Sequence, residues 1–135
     1  MLSQWPPGTV LVLATGGEEP HAIPVSVAVL ADPSRVLVGL AAGRDSLARL
    51  RANPRVALVI IAEGDVAITA HGAARVLDDE LTKGVCAVAL EIDRVQDHGR
   101  PTFVIEAGVR WRWTDAEARA RDREVRAALE RLAED

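Results

Sequence analysis

A chain of 135 residues that is 49% hydrophobic and 27% charged is sized to bury one core, and is neither a disordered segment nor a pair of large domains. Its net charge of -4 argues against nucleic acid as the main partner, because phosphate backbones select basic surfaces. No apolar run approaches the ~20 residues that span a bilayer, and the opening MLSQWPPG lacks a basic region followed by an apolar one. A cytoplasmic protein without a membrane partner is expected. The single cysteine, Cys86, lies in the apolar run VCAVAL, which excludes a disulfide framework and a cysteine-rich metal site and suits a small buried residue.

Trp5-Pro6-Pro7-Gly8 is a stiff lead-in. Thr9 to Ala14 reads as a short apolar strand ended by Gly16-Gly17. Ile23 to Leu30 alternates, with Val25, Val27 and Val29 on one face, and Pro24 near its start suits an edge strand or a strand beginning. A turn at Asp32-Pro33-Ser34 leads into a strand at Val36–Ala41. Leu47 and Leu50 then give the apolar face of a helix of about two turns, with Asp45 or Ser46 as its cap and Asn53-Pro54 as its end.

Val56 to Ile61 is apolar at every position, which predicts cover on both faces, the second by another layer or another subunit. Val66–Leu77 is a long strand in which Gly72 marks a bulge or a close backbone approach. Strand patterning resumes over Val85–Val95 and over Thr102–Trp113. Beyond it, Thr114-x-x-Glu117 has the form of a capping box, and Ala118, Val125, Leu129 and Leu132 form a narrow helical stripe. The expected fold is mainly β: an antiparallel barrel of about six to seven strands, one short inserted helix and a C-terminal helix. Residues 1–113 form the barrel domain, and residues 114–135 pack on it or on a partner subunit.

Between Arg35 and Arg55 five arginines face one acid, Asp45, against the sign of the whole chain. Gly43 lets the backbone approach a ligand, while Arg44, Ser46 and the free N–H groups of a helix start can hold an anion. Arg49, one turn on, reaches the same anion or faces solvent. The histidines His21, His71 and His98 stand apart in sequence with no metal-ligand spacing. Of the three, His71 beside Gly72 is the best placed to face a pocket. Without evident acid–base machinery, the chain points to binding or to chemistry carried by a cofactor. Trp111 and Trp113, two apart on the last expected strand, share one face as packing surface or as a wall beside a planar ligand.

The phrase GRDSLARLRANPRVALVI resembles the pyridoxamine 5'-phosphate oxidase-like FMN-binding split barrels. Gly72-Ala73-Ala74-Arg75-Val76 and the early pattern at Ala14, Thr15, Pro20, His21 and Pro24 extend the likeness to about residues 8–113. The resemblance implies a split barrel that forms a homodimer, with FMN in grooves along the subunit interface. By this likeness Pro24, Val25, Ser26 and Val27 lie along the isoalloxazine. Ala41, Gly43, Arg44, Asp45, Ser46 and Arg49 lie around the ribityl chain and phosphate. Thr69 approaches from the long strand, and Trp111 or Trp113 from the partner chain.

Two positions depart from the family pattern: Ser46 stands where many members have a lysine, and Leu40 where they have threonine or serine. The expected function is a flavin-dependent oxidoreductase acting on a small molecule, although pyridoxamine-phosphate oxidation itself is disfavoured by the short later loops. The alternatives are a non-catalytic dimeric barrel that binds a small ligand, a deazaflavin or haem, with the basic loop as its anion site, or an interaction domain without a cofactor.

Overall fold

The computed structural model describes residues 1–135. Its strands are β1 (Leu11–Thr15), β2 (His21–Val25), β3 (Ala28–Asp32), β4 (Arg35–Ala41), β5 (Arg55–Ala62), β6 (Val66–Thr82) and β7 (Val85–Asp97). The helices are α1 (Asp45–Ala52) and α2 (Ala116–Ala133). All seven strands join one antiparallel sheet in the order β2-β1-β5-β6-β7-β4-β3. The two edge strands are therefore consecutive in the chain, and only Ser26 and Val27 separate them. That link draws the edges together into a split barrel. Pro24 lies on edge strand β2, where a missing N–H costs little.

Alternating residues fill the interior. Leu11, Leu13, Val36, Val38, Leu58, Ile60, Val88 and Leu90 are almost fully buried in one cluster. Leu2 and Trp5 of the lead-in belong to the same cluster, and the Leu2 N–H donates to the Pro33 carbonyl at 2.8 Å. The lead-in thus contributes to the core as well as stiffening the entry. Cys86 is buried there too, its thiol donating to the Asp79 carbonyl at 3.1 Å. At Gly72 the β6–β7 register slips, and a β-carbon would stand 2.1 Å from the Glu91 carbonyl oxygen. Both expectations for this glycine, bulge and close approach, hold together.

The opposite face of the sheet is covered in part. Val125 and Leu129 of α2 pack on Leu37, Ala87 and Ala89, and a β-carbon on Gly39 would stand 2.8 Å from Val125 Cγ1. Burying each large apolar side chain there contributes about 1.5–3 kcal/mol. The C-terminal helix therefore sits on its own barrel over β3, β4, β7 and the far end of β6. No helix is long and apolar enough to cross a membrane.

Four sequence expectations need correction. The alternating run Ile23–Leu30 is not one strand but two, broken at Ser26–Val27. Thr102–Trp113 is not a strand: its backbone joins no ladder, and it pairs with neither edge strand, β2 or β3. It runs irregularly over the lead-in and the end of β5, tied by the Ile105 N–H to Asp65 at 2.7 Å and by the Trp111 indole to the Gly8 carbonyl at 3.0 Å.

Helix α1 is capped by neither Asp45 nor Ser46, since Arg44 holds the cap position without a side-chain bond. Helix α2 is capped by Asp115, whose carboxylate accepts from the Glu117 N–H, rather than by a Thr114 box. Within this chain Val56–Ile61 has its inner cover as expected, and no second layer of the chain lies on its outer face. Val56, Leu58 and Ile60 point inward, while Ala57 and Val59 are half-buried outside and Ile61 is 56% exposed.

Candidate functional site

The link that closes the barrel also lines a groove. Ile23 to Val27 form one wall, Gly39, Leu40 and Ala41 the other, and Arg44 its end. The groove encloses about 120 Å³, and Arg44 is the one charged residue lining it.

Its walls are polar because two peptide groups are out of the ladder. The Val27 carbonyl accepts from the Gly39 N–H at 3.3 Å, and the Ser26 carbonyl accepts from Arg126 Nη2 on α2 at 2.9 Å. The N–H groups of Ser26 and Val27 donate to no carbonyl of the chain. Ser26 and Val27 are half-buried residues, and two unspent N–H groups in succession beside a groove are free donors for a ligand edge rich in acceptors.

At the groove's end the chain turns into α1. The Arg44 N–H is spent on the Ala41 carbonyl and the Leu47 N–H on the Arg44 carbonyl. A helix start leaves the N–H groups of Asp45 and Ser46 without an intrahelical acceptor. Together with the exposed Arg44 side chain these suit an anion. Gly43 is exposed and a β-carbon there would meet nothing within 4 Å, so it contributes an open approach.

The structure separates the remaining sequence candidates from that constellation. Ser46 is fully buried and its hydroxyl has no partner, so its side chain faces the core while only its backbone lies at the loop. Arg49 is committed elsewhere: Nη1 donates to the Glu19 carbonyl at 2.7 Å and lies against Gly17, pinning the β1–β2 loop to α1. Thr69 lies on the outer face of β6, with β7 between it and β4, and its hydroxyl shares a 2.8 Å hydrogen bond with His98. His71, on the same face, pairs with Gln96 at 2.7 Å.

Trp111 and Trp113 are off the sheet, their rings edge to face at 5.2 Å. Trp111 nevertheless reaches the link from its own chain. It lines, with Trp5, Ser26, Asp122, Arg126 and Glu130, a second cleft of about 540 Å³ on the α2 side. Sequence patterning did not single out Arg126 for the site; it lies next to Val125 of the helical stripe and outside every motif of the groove.

The fold can be set beside known structures. A candidate pyridoxamine 5'-phosphate oxidase from Listeria innocua superposes with a TM-score of 0.55 at 17% identity, over 64% of this chain and 86% of that one. An FAD-binding protein from Mesorhizobium loti gives 0.56 at 16% identity, over 64% and 83%. An F420 reductase gives 0.59 at 12% identity, over 67% and 91%. The fold is the pyridoxamine 5'-phosphate oxidase-like split barrel. At such identities the likeness extends to the fold and no further. No family model and no curated protein sequence matches the chain.

Proposed function

We propose that this protein is a homodimer that binds FMN in the groove between Pro24–Val27 and Arg44 and uses it in oxidation–reduction of a small molecule. One observation carries the reading: the unspent N–H groups of Ser26 and Val27 line a groove that ends at Arg44 and a helix start. Successive N–H donors complement the acceptor-rich edge of a flavin ring, and a guanidinium with free helix N–H groups complements its phosphate. When bound, the flavin supplies hydride or electron transfer; the chain supplies main-chain donors, an anion grip and aromatic cover.

A second copy of this chain fits two features. The groove's volume of about 120 Å³ lies below the ~300–1,000 Å³ usual for a small-molecule site, so one chain supplies only part of the wall. The outer face of β1 and β5 carries Val12, Ala14, Ala57, Val59 and Ile61 beyond the reach of the α2 cluster. Apolar residues in contiguous rows on an uncovered sheet suit an isologous contact.

A binder without turnover is the second reading, favoured by the buried Ser46 hydroxyl, which leaves Arg44 as the groove's lone side-chain cation. Titration of the purified protein with FMN and with a deazaflavin, followed by assay with a nicotinamide donor, tests both. Micromolar FMN binding with turnover supports the enzyme, and binding without turnover supports the binder. No response to either cofactor at millimolar levels overturns the proposal. Sedimentation tests the dimer: Ile61→Lys is expected to give monomers, and a monomeric wild type overturns that part.

A further inference from the structure

We propose that Arg126 of the C-terminal helix is a positioning residue for the groove, holding the Ser26–Val27 peptide so that its N–H is presented to the cofactor. This rests on the cofactor reading above but concerns a residue on the opposite side of the link.

A trans peptide is planar, and its carbonyl and N–H point in opposite directions. The Ser26 carbonyl and the Val27 N–H belong to the same peptide. The carbonyl is held on the α2 side by Arg126 Nη2 at 2.9 Å, so the Val27 N–H is directed away from α2. The next carbonyl, that of Val27, is held by the Gly39 N–H across the groove at 3.3 Å. The Val27 bond continues the β3–β4 register by one residue, but the Ser26–Val27 peptide itself makes no ladder bond. The two carbonyl bonds hold the link instead, and one of them comes from a side chain.

Arg126 is available for this because its other neighbours do not claim it. Asp122 and Glu130 stand four residues either side on the helix, the spacing of helical ion pairs, yet neither comes within ion-pair distance. The helix can bring Arg126 this close because Gly39 lets Val125 settle onto β4, where a β-carbon would stand 2.8 Å from Val125 Cγ1. The same guanidinium lines the larger cleft that holds Trp111, so the peptide separates two compartments and Arg126 faces one while setting the donor in the other.

Two variants of the full-length protein test the role. Arg126→Met keeps the apolar stem and removes the donor, while Arg126→Lys keeps a charged donor. In the protein without cofactor, Arg126→Met is expected to move and broaden the Val27 amide resonance and speed its hydrogen exchange, with the β5–β6 amides and the thermal midpoint little changed. FMN affinity is expected to fall about tenfold, and to return to within about threefold in Arg126→Lys. A Val27 amide that does not respond to Arg126→Met overturns the proposal whatever the cofactor. Wild-type protein that ignores FMN while the Val27 amide responds overturns the cofactor reading and supports the positioning role. Wild-type FMN affinity retained in Arg126→Met overturns its bearing on the groove.

Discussion

Gly72 and Glu91 approach so closely that the β6–β7 ladder has no room for a β-carbon: one placed on Gly72 would stand 2.1 Å from the Glu91 carbonyl oxygen and 3.0 Å from the Ile92 Cα. The neighbouring atoms are backbone, which cannot swing aside as a side-chain end would. Gly72→Ala is therefore expected to cost about 3 kcal/mol or more, at the upper end of overpacking effects, or to prevent folding. Chemical denaturation of the variant measures it, and a loss below about 1 kcal/mol would show that the bulge can relax.

Arg44 and Arg49 should part company when tested. Arg44→Ala is expected to weaken FMN or inorganic phosphate binding by about tenfold, since it removes the groove's one side-chain cation while touching no core contact. Arg49→Ala should leave affinity within about twofold and loosen the loop at Gly17 and Glu19, which Arg49 Nη1 holds. Calorimetric titration and hydrogen exchange of residues 16–20 report the two effects separately. Equal loss of affinity in both variants would place Arg49 at the anion after all.

Ser46→Ala tests whether the hydroxyl contributes anything to ligand binding. The hydroxyl is buried without a partner, so removing it is expected to leave stability unchanged or raise it by up to about 1 kcal/mol. FMN affinity should not move. A clear loss of affinity would show that Ser46 turns outward when the anion arrives.

Asp93 offers a pH test. The hydrogen bond from Arg55, with its charge second among the favourable causes, holds the Asp93 carboxyl below its ordinary value of 3.8, and Asp93 in turn raises Arg55. A depressed carboxylate stabilises the fold above its unfolded value and loses that contribution as pH falls through the folded value. The contribution is therefore fully present near neutrality and is lost only below about pH 4. Both groups are exposed, so the pair should yield to added salt. Carboxyl NMR titration is expected to show the Asp93 midpoint returning to the ordinary value in Arg55→Ala. An unchanged midpoint would assign the shift elsewhere.

What the sequence made legible follows from what short apolar runs between turn signals can encode. Val36–Ala41, Val56–Ile61 and the β6–β7 pair carried such runs, and the structure places them as strands. The break at Ser26–Val27 was hidden because apolar residues run through it. Val25 and Ala28 are the residues that enter the core, three apart, so the face reverses within the link; Val27 and Val29 fall instead against the α2 cluster. Thr102–Trp113 misled in the opposite way: its strand-like sequence joins no ladder, and the segment is held instead by single bonds to Asp65 and Gly8.

The groove was visible where backbone and charge define it, at Pro24–Val27 and Arg44. It was invisible where orientation decides, as with the inward Ser46, the committed Arg49, and Arg126, whose partner lies 100 residues away in the chain.

The placement of the indoles has a practical consequence. The chain has three tryptophans, no tyrosine and one phenylalanine. Trp5 lies in the lead-in, Trp111 hydrogen-bonds to Gly8, and Trp113 meets Trp111 edge to face. All near-ultraviolet emission therefore originates in one patch, next to Ser26 and the closing link. Intrinsic fluorescence of the unaltered protein is a local gauge of how the lead-in and the segment bearing Trp111 sit against the barrel. It will register events at that corner of the fold.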